Sequence, residues 1–236
     1  MAYWILKIVL TPILRVLFRV RRQGLENIPR HGPVILASNH QSFIDSIFLP
    51  FSVRRRVTFV AKAEYFESWK TAWLFRALGM IPLKRGGGPA SARALEAARE
   101  VLEAGGVLGI YPEGTRSPDG RLYKGHTGVA RLSMQTGAPV VPVAQFGTAK
   151  VQPIGSMTVK PFCRVELKFG RPRRYVPRID ETEGDVAADL RTFTNQLMVD
   201  IAELSGQEVV HEYAKRDRGP GAAPGSEAEP TPSLTA

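Results

Sequence analysis

The chain is poor in the groups that most directly announce a chemistry. It has one cysteine, Cys163, so no disulfide closes within it and a reducing compartment is expected. Cys163 falls in an apolar stretch that reads as a strand, and the expected role is a buried structural thiol. Its four histidines, His31, His40, His126 and His211, show no H-x-x-x-H spacing, so no metal site is predicted. Neither a G-x-S-x-G elbow nor a Walker A loop occurs, which removes a familiar frame for a serine nucleophile and one for nucleotide phosphates. The interleaving of aromatic and basic residues common in RNA-binding modules is missing too, and nucleic acid is not an expected partner. Residues 1–22 hold Lys7, Arg15, Arg19, Arg21 and Arg22 and no acid. The stretch 219–236 holds no aromatic residue and is dominated by Pro, Gly and Ala. It cannot build a core, so residues 215–236 are predicted to be a disordered tail.

What is present fits one globular unit. The chain has 236 residues, 44% of them hydrophobic, and a net charge of +10. Residues 23–214 make about one domain's worth of sequence, roughly 200 residues. The excess of base points to anionic partners such as lipid headgroups or phosphorylated substrates.

Before that domain, residues 1–22 read as a helix. Its apolar run from Trp4 to Phe18 would span about 22 Å, short of the ~30 Å hydrocarbon core of a bilayer. The order of charged and apolar residues is the reverse of a signal peptide. On a helical wheel Lys7, Thr11, Arg15, Arg19 and Arg22 share one stripe, with Ile5, Val9, Ile13 and Val16 on the opposite side. This predicts an amphipathic helix with a basic face lying in a membrane surface, kinked at Pro12.

Beyond it, short apolar runs at 34–37, 57–61, 79–83, 107–110, 139–146 and 165–169 alternate with helical patterns. The fold class is therefore α/β, a single domain with a mostly parallel central sheet flanked by helices. Ligands in such sheets bind beyond the carboxyl ends of strands. His40, Lys62, Arg85 and Glu113 all follow such ends.

The densest chemistry lies at Asn39-His40-Gln41-Ser42-Phe43-Ile44-Asp45. Residues five apart on a continuous helix differ by about 140° and cannot meet. For His40 and Asp45 to touch, His40 must sit in the loop, with Ser42 as N-cap and Asp45 at the third helical position reaching back. The same letters also spell a capping box, so spacing alone leaves a base–acid pair and a capped helix both open. A second cluster, Lys84-Arg85-Gly86-Gly87-Gly88, precedes a helix and can form a backbone nest for phosphate. A third, Tyr111-Pro112-Glu113-Gly114-Thr115-Arg116-Ser117, offers a guanidinium that can grip phosphate in two-point fashion and a glycine that permits close approach. Glu113 there can pair with a base or a substrate hydroxyl. Lys62 closes a buried strand, where a lysine is costly unless it meets an anion. A non-catalytic basic membrane-surface module would explain the charge but not His40 together with Asp45.

Taken together, these segments resemble the lysophosphatidic acid acyltransferases, the 1-acylglycerol-3-phosphate O-acyltransferases, within the wider glycerolipid acyltransferases. The resemblance spans residues 20–205. Residues 39–45 are similar to the family's first motif, 79–85 to the second, 111–117 to the third and 139–143 to the fourth. Lys84 departs from the acid that many members carry there. The resemblance implies acyl transfer from acyl-CoA or acyl carrier protein to a hydroxyl of 1-acylglycerol-3-phosphate, giving phosphatidic acid. Glycerol-3-phosphate or another lysolipid is the alternative acceptor. It implies His40 as general base oriented by Asp45, and Lys62, Arg85 and Arg116 on the acceptor phosphate. Asn39, Glu113, Gly114 and Thr115 would shape the pocket. No covalent acyl-enzyme and no cofactor beyond the thioester co-substrate are expected, and the chain is expected at the cytoplasmic face of the cell membrane, peripheral or monotopic.

Overall fold

The apolar run Val34–Ser38 is buried at every position, as a strand covered on both faces must be, and it forms the middle of the sheet. The computed structural model describes residues 2–67, 69–83, 89–156, 158–177 and 182–215. In chain order its elements are α1 (Ala2–Leu17), β1 (Arg21–Gln23), β2 (Val34–Ser38), α2 (Asp45–Ser52), β3 (Val57–Lys62), α3 (Glu64–Glu67), α4 (Trp69–Ala77), β4 (Ile81–Leu83), α5 (Pro89–Glu103), β5 (Val107–Ile110), β6 (Leu122–Tyr123), α6 (Gly128–Thr136), β7 (Val140–Phe146), α7 (Thr148–Val151), β8 (Glu166–Phe169), α8 (Glu183–Ser205) and β9 (Val209–Val210). The seven-stranded sheet runs β1-β8-β7-β2-β5-β3-β4. Every neighbouring pair is parallel except β7 with β8. The predicted α/β class with a mostly parallel sheet is what the chain adopts. The small parallel pair of β6 and β9 has no sequence signal, because two-residue strands carry no periodicity.

Side chains leave the central strand alternately toward two cores. Val34 and Leu36 join Phe18, Phe48, Phe59, Val141 and Leu167 on one face. Ile35 and Ala37 join Leu102, Leu108, Val140, Leu197 and Ile201 on the other. Burying a side chain such as Phe48, 1% exposed, contributes about 1.5–3 kcal/mol. The sheet is thus the middle of three layers, and the loops at its carboxyl edge are left to build the site.

One irregularity shapes that edge. β3 pairs with β5 from Val57 to Phe59, then with β4 from Val60 to Lys62. β5 meanwhile stays with β2 as far as Ile110. Beyond Phe59 and Gly109 the two strands fork. Gly109 is required at the crotch: a Cβ there would lie 2.3 Å from Phe59 Cζ, so the phenyl ring occupies the space a side chain would need.

α1 differs from its prediction. The helix ends at Leu17, and Arg21 and Arg22 belong to β1. Lys7 does not face solvent with a basic stripe. It is buried, and its ammonium donates to the carbonyl of Arg55 at 2.9 Å and to Tyr3 Oη at 3.2 Å. Burial pushes its pKa down to about 8. The outward face is instead apolar, with Ile5, Ile8 and Val16 exposed by 61%, 73% and 80%. Cys163 is half-buried in the loop before β8, not buried in a strand. The segment predicted as a disordered tail lies outside the described residues, apart from Lys215.

Candidate active site

β2 delivers His40 to the carboxyl edge, and five hydrogen bonds around it fix the loop. Its N–H donates to Glu113 Oε1 at 3.1 Å, and its carbonyl accepts from the Ser117 amide at 2.7 Å. Its Nδ1 lies 2.9 Å from Asp45 Oδ2. That same oxygen accepts from the amides of Gln41 and Ser42 at 2.7 and 2.8 Å. Asp45 is fully buried at the first turn of α2.

The two sequence readings of Asp45 prove to be one arrangement. Asp45 does reach back to the Ser42 amide, which is half of a capping box. The other half is missing: Ser42 Oγ donates to the Gln152 carbonyl at 2.7 Å, and Asp45 is the first rather than the third helical residue. The carboxylate that anchors the turn also holds the imidazole.

Tyr111 completes the setting. Its ring stacks flush on His40, centroids 3.8 Å apart and planes 8° from parallel, and lies between it and Phe59 at 5.4 Å. Its hydroxyl shares a 3.0 Å hydrogen bond with Ser46 Oγ on α2. Burial, and then the nearby Asp45 charge, push its phenol well above the ordinary value. With Nδ1 engaged by Asp45, the free lone pair of the imidazole is on Nε2. The ring is 16% exposed and forms part of the wall of a cavity of about 300 Å³.

That cavity occupies the fork between β3 and β5. Val60 and Ala61 line one side, Ile110 and Tyr111 the other, and Phe43, Phe59, Phe75, Met80, Leu95 and Ala98 make its interior apolar. Gly114, Thr115 and Arg116 also line it. Gly114 has φ +71°, and a Cβ there would come within 3.1 Å of the His126 ring, so glycine is needed both for the turn and for the approach.

Two residues expected in the pocket stand behind it. Asn39 is 1% exposed; its Oδ1 accepts from the Gln145 amide at 2.8 Å and its Nδ2 donates to the Gln145 carbonyl at 3.1 Å. It thereby extends the β2–β7 ladder with a side-chain amide. Glu113 is also 1% exposed. Its two oxygens take the amides of His40 and Tyr123, so it ties together two loops and is not directed at a substrate hydroxyl. Burial pushes its carboxyl up to about 7 against those two hydrogen bonds. Lys62 ends β3 at the same edge, paired in register with Leu83. Its side chain, and Arg85 with its glycines, lie outside what the structure describes. Tyr111 was visible in the motif but unassigned; the signal for its role is an aromatic residue directly after a buried strand that ends beside His40. The apolar lining carried no signal, because each of its residues reads as ordinary core.

The acyltransferase family profile matches residues 19–145, more than half of the sequence. The chain belongs to the acyltransferase family. Among curated relatives of this chain, a chloroplastic 1-acyl-sn-glycerol-3-phosphate acyltransferase of Brassica napus is 38% identical over 135 residues, 57% of this chain and 39% of that one. A chloroplastic counterpart from Arabidopsis thaliana is 34% identical over 156 residues, 66% and 44%. The chain therefore spans about two fifths of the length of these relatives. The crystal structure of the 1-acyl-sn-glycerophosphate acyltransferase PlsC from Thermotoga maritima superposes with a TM-score of 0.61 at 27% identity, covering 83% of this chain and 80% of that chain. Among the described residues no helix is long and apolar enough to cross a membrane.

Proposed function

We propose that the chain moves a fatty acyl group from a thioester, acyl-CoA or acyl-loaded carrier protein, to the free hydroxyl of 1-acylglycerol-3-phosphate, giving phosphatidic acid at a membrane surface. The observation that carries this reading is the His40–Asp45 pair in the wall of a cavity lined by apolar side chains together with Thr115 and Arg116. His40 Nε2 takes the proton of the acceptor hydroxyl as that oxygen attacks the thioester carbonyl. The new C–O ester bond forms, the C–S bond breaks, and the imidazolium returns the proton to the leaving thiolate. Asp45 holds the reactive tautomer and stabilises the imidazolium. The apolar interior suits an acyl chain, and Arg116, with Lys62 and Arg85, supplies the charge for the acceptor phosphate. The outward apolar face of α1 supports a peripheral or monotopic association with lipid.

The test is an assay of purified protein with lysophosphatidic acid and glycerol-3-phosphate against both thioester donors. Lysophosphatidic acid is expected to be the better acceptor, and its failure to react with any donor sinks the assignment. His40→Ala is expected to lose about 10⁴-fold in kcat with its circular dichroism unchanged; transfer at the wild-type rate rules out the base.

A further inference from the structure

Tryptophan is usually well buried, yet this chain buries none of its three. Trp4, Trp69 and Trp73 are exposed by 48%, 81% and 59%. Trp69 and Trp73 are four residues apart on α4, hence on one face of that helix, and Trp4 lies on α1. The two helices pack side by side. α4 is thus two-faced: Phe75, 3% exposed, points inward and lines the cavity, while the tryptophans point away.

Arginines gather around these helices, and Glu67 of α3 is exposed beside the start of α4. Arg54, Arg56 and Arg76 are exposed, as is Arg15 on α1. Arg56 sits over the ring of Tyr3 of α1 at 5.3 Å. Arg22 is lowered by burial and then by the like charges of Arg15 and Arg54, which shows how closely these cations are gathered. Concentrated arginine next to exposed tryptophan and isoleucine matches an anionic bilayer surface: indole prefers the headgroup level, aliphatic side chains the acyl boundary, and guanidinium the phosphates.

We propose that α4 joins α1 in a single lipid-contact face, with Trp69 and Trp73 seated in an anionic bilayer. This rests on the membrane association proposed for α1 and extends it to an element of the catalytic domain. The helix that meets lipid outward is then also a wall of the substrate cavity inward.

The tryptophans are their own probes. Trp4→Phe leaves emission from Trp69 and Trp73; Trp69→Phe with Trp73→Phe leaves Trp4 alone. On vesicles of phosphatidylcholine and phosphatidylglycerol, both proteins are expected to shift their emission to the blue and to be quenched by brominated acyl chains. Trp69→Ser with Trp73→Ser is expected to weaken vesicle binding about tenfold or more, with circular dichroism confirming the fold. Quenching confined to Trp4, or vesicle affinity unchanged in the serine variant, overturns the proposal. So does lipid-free self-association that the serine variant abolishes, because the occupant of the face is then a second copy. Vesicle binding is read without turnover. An inactive protein that binds through α4 counts against the acyltransferase assignment alone; an active one with Trp69 and Trp73 unquenched counts against this face alone.

Discussion

On the β2–β5–β7 side of the cavity, each polar group beside the imidazole is tied down by hydrogen bonds. Asp45 accepts from two amides as well as from His40, Glu113 joins the His40 amide to that of Tyr123, and Asn39 continues the ladder into β7. On the β3–β4 side, the wall is Phe59, Val60, Ala61, Phe75 and Met80, held by apolar contact. The difference assigns work. Hydrogen bonds have direction and fix an imidazole to within tenths of an ångström. Dispersion and burial are non-directional and leave a wall that can repack around chains of different length. Under the proposed function, chemistry would sit on the first wall and selection on the second.

The largest effect should come from breaking the first wall. Asp45→Asn can still offer one oxygen to Nδ1 and the two backbone N–H groups but removes the charge that stabilises an imidazolium, and kcat is expected to fall about 10³-fold. The comparison predicts little change in relative preference among donor chain lengths, which competition between short and long acyl-CoA would measure. Next is the pH dependence of Glu113. Its folded pKa of about 7 lies above the ordinary 4.5, so the native state binds this proton more tightly. The stabilisation is fully present below pH ~4.5 and is lost as pH rises through ~7, a change of about 3 kcal/mol. Denaturant unfolding of the wild type and Glu113→Gln across that range should show a difference falling with pH; a flat difference removes the linkage.

The second wall breaks in another way. Gly109→Ala drives a Cβ into the Phe59 ring, at an expected cost of about 1–3 kcal/mol. The displaced ring enters the cavity, so kcat/KM for long-chain donors should drop more than for short ones. Equal losses for both would dissolve the division between walls. Smallest is Tyr111, which touches both. Tyr111→Phe keeps the stack and should stay within about threefold of wild type, whereas Tyr111→Leu should lose about tenfold in kcat with KM little changed. A leucine variant as active as phenylalanine shows that the stack positions nothing.

Within the first wall only the His40–Asp45 pair was legible in the sequence. The two lie five positions apart in one strand–loop–helix segment, so motif and pattern bring them together, whereas the tie from the His40 amide to Glu113 spans 73 positions. The fork depends on which strand β3 chooses beyond Phe59, a non-local pairing that no period encodes. Lys7 failed similarly. A wheel shows which residues share a stripe but not which stripe meets the domain, and the Arg55 carbonyl that receives Lys7 lies 48 positions away. Asn39 and Glu113 were found by type and misplaced by role, because burial cannot be read from a motif. Gly109 was the one local trace of the fork: a glycine inside an apolar strand marks a close approach.

The change of partner along β3 also marks a seam for engineering. The stretch from Val60 through Leu83 closes its β3–β4 ladder within itself, while Phe75, Leu78 and Met80 pack into the shared core, so it resembles a cassette clipped beside the His40–Asp45 pair. Exchanging that cassette between relatives is a route to new acyl preferences in which the imidazole, its carboxylate and their anchoring amides are inherited intact.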